Sequence, residues 1–337
     1  MIKNMINKVV EGEGLTFEES MAVMKEIMEG NATGSQIASF ITALRIKGET
    51  VDEIAGCVSV MREKATHIDV GNSLVVDTCG TGGDAKCTFN ISTGAAFVVA
   101  GAGLKVAKHG NKASSSQCGS ADVLRFLGVN IDADTKVVEE CIQRANIGFL
   151  MAPLLHSSMK HAVGPRREIG IKTIFNILGP LTNPARATRQ VIGVYDARLT
   201  DLVAKVLKKL NTEHAFVVYG YDGMDEITTT DKTKVCELKN GEINSYFITH
   251  DSFGIAKAQM NDFYVDSPKQ SAKAIIAVLE GETGPKRDIV LLNASAAIVA
   301  GGGARNLKNG VRVAAESIDS GRAKASLKEL IKLTQKG

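Results

Sequence analysis

The sequence has no long apolar run. Hydrophobic residues make up 44% of its 337 positions, yet no apolar stretch approaches the roughly 20 residues that a membrane-spanning helix needs, so no membrane is expected as a partner. Charge of one sign is equally lacking. Forty Lys and Arg stand against 37 Asp and Glu, the net charge is +3, and the two signs are interspersed. Without a basic block or tail there is no footprint for nucleic acid, and without a basic amphipathic helix there is none for a membrane surface. The six cysteines, Cys57, Cys79, Cys87, Cys118, Cys141 and Cys236, contain no C-x-x-C pair. That argues against zinc and against a disulfide framework, and for reduced thiols in the cytoplasm. The opening Met1-Ile2-Lys3-Asn4 has no signal-peptide core, which carries the same expectation.

What the chain does have is a change of pattern. Up to roughly residue 65 it reads as helices only. Thr16-Phe17-Glu18-Glu19, Thr33-Gly34-Ser35-Gln36 and Thr50-Val51-Asp52-Glu53 are three capping boxes, each followed by apolar residues at helical spacing. Short amphipathic helices need a second layer to cover their apolar faces. A partner subunit is expected to supply part of it, with Phe40 and Ile41 either contacts of the partner or internal core. After Asn72, short apolar runs alternate with helical stretches. The runs are Val75-Val76, Leu104 to Val106, Val129 to Ile131, Ile147 to Leu150, Val191 to Val194 and Phe216 to Tyr219. This predicts an α/β domain with a mainly parallel central sheet. Lys239-Asn240-Gly241 between two alternating runs predicts a small antiparallel ribbon. Ser267-Pro268 opens a helix, and Gly301-Gly302-Gly303 reads as a helix-end loop. The stretch 166–188 reads as a helix and then an irregular crossing that rejoins the helical layer. The expected organisation is therefore a small, discontinuous N-terminal helical domain (1–70 with about 166–188) beside a large α/β domain (71–165 and 189–337).

Chemistry is concentrated in a few loops. Asp77-Thr78-Cys79-Gly80-Thr81-Gly82-Gly83-Asp84 follows a predicted strand and leads through Thr88-Phe89-Asn90-Ile91-Ser92-Thr93 into a helix. Glycines admit an anion to the backbone, helix N–H groups point at it, and hydroxyls add donors. Neither the dinucleotide fingerprint nor the P-loop spacing is present, so the stretch is either a phosphate cradle or a plain tight turn. Lys108-His109-Gly110-Asn111-Lys112-Ala113-Ser114-Ser115-Ser116 and Gly119-Ser120-Ala121-Asp122 form a second phosphate-friendly cluster after the next strand. Loops at neighbouring strand ends share one crevice in a parallel sheet. His109 reads as a hydrogen-bonding scaffold as readily as a base. Asp225-Glu226 suits either a solvated turn or Mg²⁺. Arg166-Arg167 suits either the surface or a carboxylate, onto which a guanidinium forks.

Taken with Thr173-Ile174-Phe175-Asn176, Leu178-Gly179-Pro180-Leu181-Thr182-Asn183-Pro184 and Gly223-Met224-Asp225-Glu226, these stretches resemble the anthranilate phosphoribosyltransferases over essentially the whole chain. The resemblance implies transfer of a phosphoribosyl group from phosphoribosyl pyrophosphate (PRPP) to anthranilate in a homodimer joined through its helical domains. It implies that Gly80, Gly83, Asp84, Thr88, Asn90, Ile91, Ser92, Thr93, Lys108 and Ser120 line the PRPP site. The loop of His109, Gly110, Asn111, Lys112, Ala113, Ser114, Ser115 and Ser116 would close over it. Two Mg²⁺ ions per subunit are implied, one held by Ser92 with Glu226 and the other by Asp225 with Glu226. Gly80, Asn111 and Arg166 would receive anthranilate, and no residue is assigned as a general base. Related possibilities are a pyrimidine nucleoside phosphorylase-like enzyme and a non-catalytic nucleic-acid-binding relative. The chain departs from the family's usual residues at Ala85, Lys112, Arg125 and Lys172.

Overall fold

The computed structural model describes residues 1–83, 86–112 and 119–336. Helices α1 (Ile2–Val10), α2 (Phe17–Met28), α3 (Gly34–Lys47) and α4 (Val51–Lys64) come first. The last three begin at the predicted capping boxes, with both reciprocal hydrogen bonds formed in each, an arrangement in which one cap is typically worth about 1 kcal/mol. Glu53 reaches further: its Oε1 accepts the Leu15 N–H at 2.9 Å and its Oε2 meets Lys47 Nζ at 3.0 Å. Helix α1 has no side-chain cap and packs across α3.

The remainder runs β1 (Val75–Gly80), α5 (Ile91–Gly101), β2 (Lys105–Gly110), α6 (Ser120–Phe126), α7 (Thr135–Arg144), β3 (Ile147–Met151), α8 (Ala152–Leu155), α9 (Lys160–Ile169), α10 (Ile174–Leu181), β4 (Arg189–Gly193), α11 (Leu199–Lys209), β5 (His214–Gly220), β6 (Thr233–Lys239) and β7 (Glu242–Ile248). Helices α12 (Pro268–Leu279), α13 (Pro285–Ala300), α14 (Leu307–Asp319) and α15 (Arg322–Thr334) complete the chain. One seven-stranded sheet has the order β3-β2-β1-β4-β5-β6-β7. Its first five members are parallel, and β6 and β7 are antiparallel. Successive residues bury on opposite faces, as strand geometry requires. Val191, Phe216 and Val218 join a core with α5 and α12 to α15. Ile192, Ala215 and Val217 join a second core with α2 to α4, α10 and α11.

That second core decides between the two expectations for α3. Phe40 and Ile41 are 1% and 0% exposed within a single chain, because α1, α9 and α10 cover the helices from the same chain. They are internal residues and not available to a partner. Helix α9 packs on α2 and α3, and α10 on α3 and α4, so two later helices lie against the N-terminal ones.

Other expectations are corrected locally. Val129 to Ile131 is not a strand. Val129 and Ile131 are buried, but the Val129 N–H caps α6 at the Leu124 carbonyl and the Asn130 N–H bonds to the Thr334 hydroxyl. The stretch 166–188 holds the end of one helix and all of a second before the irregular part begins at Thr182. The expected antiparallel ribbon forms as β6 and β7, and because β6 pairs with β5 it extends the main sheet. Its turn, Asn240-Gly241, has φ of 51° and 80°, the left-handed pair that a two-residue hairpin requires. Asp77 to Gly80 and Lys108 to Gly110 belong to strands β1 and β2 and not to the loops that follow.

Candidate active site

The chain builds β1, β2 and β3 in one direction, then returns to add β4 on the other side of β1. The crevice between β1 and β4 is therefore the switch point of the sheet, where open α/β folds bind ligands. Gly80 and Gly193 end these strands and pair with each other. A Cβ at Gly80 would stand 2.5 Å from Asp225 Oδ2, and one at Gly193 would stand 1.5 Å from the Asp225 carbonyl oxygen. Only bare backbone at both positions lets the Asp225 segment settle over the strand ends. There Asp225 Oδ2 accepts the Gly82 N–H at 2.8 Å, and the Ser92 N–H meets Glu226 Oε1 at 3.2 Å.

A cavity of about 310 Å³ opens at this point. It is lined by Gly80, Gly83, Thr88, Asn90, Ile91, Ser92, Lys108, His109, Gly110, Asn111, Lys112, Ser120, Arg166, Asp225 and Glu226. Thr93 does not line it. Its side chain is buried, and both its N–H and its hydroxyl bond to Asn90 Oδ1 at the start of α5. Asp84, Ala113, Ser114, Ser115 and Ser116, with Ala85, lie outside the described residues. A larger and more open cavity of about 740 Å³, lined by His67, Arg186 and Glu213 among others, lies at the amino-terminal ends of β1 and β4, away from these groups.

Lys108 is 2% exposed, with Nζ donating to the Thr78 carbonyl at 2.5 Å and to Ser92 Oγ at 3.3 Å. Burial pushes its pKa down, and the neighbouring Asp77 works against that shift. Asp77 is itself buried, which pushes its pKa up. It accepts from Asn183 Nδ2 at 2.8 Å and from the His109 N–H at 3.1 Å. His109 stands on a strand, 5.2 Å from the His156 ring, and among the described residues its buried Nε2 has no hydrogen-bond partner. Burial, with the His156 charge, lowers its pKa to about 3. It is neutral at pH 7 and a poor proton acceptor there.

Arg166 lies on α9 with its guanidinium 5.0 Å from the centre of the Phe175 ring, whereas Arg167 is exposed. Phe175, Asn176, Gly179 and Pro180 also line the cavity. They stood in the motifs of the sequence, but no role had been read for them. Asn183 stands in the Leu178-to-Pro184 motif without a role, and Asn293 stands in no motif. Asn183 bridges Asp77 and the Ala107 carbonyl. Asn293 brackets Ile227, accepting its N–H and donating to its carbonyl, both at 2.9 Å, and so holds the segment just after Glu226. The departures have plain surroundings. Arg125 pairs with Asp132 on the surface at 2.7 Å, Lys112 is exposed, and Lys172 Nζ donates to the Gly83 carbonyl at 2.6 Å.

The donor set suits a hard cation. Among the described residues no group of three or more His, Cys, Asp and Glu side chains is placed to hold a metal. Asp225, Glu226 and the Ser92 hydroxyl present oxygen alone, with two carboxylates. Mg²⁺ is held in this way when it keeps waters and takes the rest of its shell from substrate phosphates.

Comparison with known proteins agrees with this geometry. Residues 3–65 match the glycosyl transferase family helical bundle domain, and residues 72–324 match the glycosyl transferase family a/b domain. The anthranilate phosphoribosyltransferase of Pelotomaculum thermopropionicum is 54% identical, the match covering 99% of this chain and 97% of the relative. That of Acetivibrio thermocellus is 53% identical over the same shares. Among solved structures, the Thermus thermophilus enzyme superposes with a TM-score of 0.93 at 37% identity, covering 98% of this chain and 99% of the other. The Saccharomyces cerevisiae enzyme in complex with PRPP and Mg has a TM-score of 0.89 at 28% identity, covering 100% and 98%. With both family domains matched and more than half of its residues shared along its length, the chain belongs to the anthranilate phosphoribosyltransferases of the glycosyl transferase family.

Proposed function

We propose that this chain transfers the 5-phosphoribosyl group of PRPP to the amine of anthranilate, releasing pyrophosphate and giving N-(5-phosphoribosyl)anthranilate, a step of tryptophan biosynthesis. The observation that carries this reading is convergence. A glycine-rich loop, a buried ammonium, an acidic pair and a guanidinium from the helical domain line one cavity at the sheet's switch point.

The bond from ribose C1 to pyrophosphate breaks, a bond from nitrogen to C1 forms, and the amine proton passes to solvent. Negative charge grows on the leaving group, and the buried Lys108 ammonium, which lines the cavity, would stabilise it from a preorganised position. Ser92, Asp225 and Glu226 would hold two Mg²⁺ ions per subunit. When bound, Mg²⁺ neutralises pyrophosphate charge. The neutral His109 and the weak basicity of an aromatic amine both suit a reaction driven by positioning and leaving-group stabilisation.

Gly80, Asn111 and Arg166 would take anthranilate, with Arg166 forking onto its carboxylate. A charge-assisted contact of roughly 1.5–3 kcal/mol predicts that Arg166→Ala raises the anthranilate KM about tenfold to a hundredfold. The KM for PRPP should move much less, and the exposed Arg167→Ala should change neither. Steady-state kinetics with each substrate varied checks this. A defect in Arg167→Ala alone would shift the assignment by one residue, and no defect in either would place the carboxylate elsewhere.

The domain division we favour is 1–70 with about 166–188 against 71–165 with 189–337, supported by the packing of α9 and α10 on α2 to α4. The five described cysteines are free thiols, which suits work in the cytoplasm. We assign a homodimer through the helical domain, where Ile46 is 82% exposed and Val10 is 69% exposed. Sedimentation at micromolar concentration should show a dimer, and Ile46→Asp should shift it toward monomer. A monomeric wild type would defeat the assignment.

A further inference from the structure

We infer that Lys172 is a positioning residue that ties the glycine-rich loop to the helical domain and so sets the geometry in which PRPP is held, an inference that rests on the phosphoribosyl transfer read above. From the α/β side three hydrogen bonds among the described residues hold this loop. The Thr81 N–H donates to the Gly193 carbonyl at 2.9 Å, the Gly82 N–H to Asp225 Oδ2 at 2.8 Å, and the Tyr195 N–H to Thr81 Oγ1 at 3.1 Å. From the helical side comes Lys172, in the short link between α9 and α10. Its Nζ donates to the Gly83 carbonyl at 2.6 Å and stands 4.0 Å from the centre of the Tyr195 ring.

The loop depends on such restraints. Gly82 and Gly83 have φ of 62° and 78°, and a Cβ at Gly82 would meet nothing within 4 Å. Without side-chain packing, glycine backbone wanders over a wide range of conformations. Hydrogen bonds to its peptide groups are then what fixes the loop. Lys172 is not one of the cavity-lining side chains, whereas Gly82 and Gly83 are among the lining residues, so its influence passes through the loop. The same link joins the helices that carry Arg166 and Phe175, so Lys172 couples the wall that would receive anthranilate to the loop that would receive PRPP. An ammonium above a tyrosine ring, aimed at a carbonyl, can be replaced by a guanidinium, which also stacks on aromatic faces and donates.

The test compares wild type, Lys172→Met and Lys172→Arg by steady-state kinetics, thermal melting and calorimetric titration with PRPP and Mg²⁺. Loss of one charge-assisted hydrogen bond should weaken PRPP, in both KM and titrated affinity, by about tenfold in Lys172→Met. The anthranilate KM should stay within about twofold, and Lys172→Arg should restore most of the loss. A residue that served only the fold would lower the melting temperature and leave the ratio of the two KM values unchanged. Unaltered PRPP affinity in a folded Lys172→Met, equal rises in both KM values, or no rescue by arginine would each overturn the inference. A wild type that binds PRPP but consumes no anthranilate would refute the transfer reading instead, and the titrations would still decide Lys172.

Discussion

Replacing both carboxylates of the acidic pair, Asp225→Asn with Glu226→Gln, is expected to cut turnover by about a hundredfold or more while the protein stays folded. The size follows from the several kcal/mol by which a metal stabilises transition-state charge, with each ~1.4 kcal/mol a factor of ten in rate. The fold should survive because both replacements keep a carbonyl oxygen. The amide oxygen that replaces Asp225 Oδ2 could still accept the Gly82 N–H, now held at 2.8 Å, and the one that replaces Glu226 Oε1 could still accept the Ser92 N–H, now at 3.2 Å. What is lost is negative charge, so raising Mg²⁺ should recover part of the activity. Turnover measured against Mg²⁺ concentration, beside a melting curve, checks this. Unchanged turnover at sub-saturating Mg²⁺ would leave the pair as a turn that merely orders the glycine loop.

Lys108→Met is expected to be the most damaging single change. The methionine keeps most of the apolar stem and removes the ammonium, which at 2% exposure has almost no water to replace it. Removing one preorganised donor to developing negative charge typically costs about a hundredfold to a thousandfold in kcat. The KM for PRPP should rise less than kcat falls, because leaving-group charge is larger in the transition state than in the bound substrate. The change also leaves the buried Asp77 carboxyl with Asn183 and the His109 N–H but without its nearby cation. Some stability is lost with it, as when one partner of a buried pair is removed. Kinetics well below the melting temperature separate the two effects. A kcat within threefold of wild type would remove Lys108 from the transition state.

The features legible in the sequence were those whose cause is local. A capping box lies within four residues, so α2, α3 and α4 announced their own first turns. Asn240-Gly241 announced its hairpin for the same reason. Helix α1 has no capping side chain and gave no such sign. Alternating Val129 and Ile131 imitate a strand, yet what satisfies their backbone is a helix end and Thr334, the latter 204 residues away from Asn130. The apolar faces of α3 showed that Phe40 and Ile41 would be buried but not against what. In the site, glycine loops and the acidic pair stood out by composition. The contact between Gly82 and Asp225 spans 143 residues and that between Asn183 and Asp77 spans 106. Asn183 and Asn293 each keep one local bond, to the Ala185 N–H and the Ile289 carbonyl, but act on the site through partners far away in the sequence, so their own neighbourhood does not show what they hold.

The phosphoribosyl transfer itself can be read directly from anthranilate fluorescence. With purified wild-type protein, PRPP and Mg²⁺ together, the fluorescence should decay at a rate proportional to enzyme concentration, with pyrophosphate released in equal amount. Omitting PRPP, or chelating Mg²⁺, should stop the decay. Fluorescence that stays constant with all components present, in protein shown by titration to bind PRPP, would contradict the transfer.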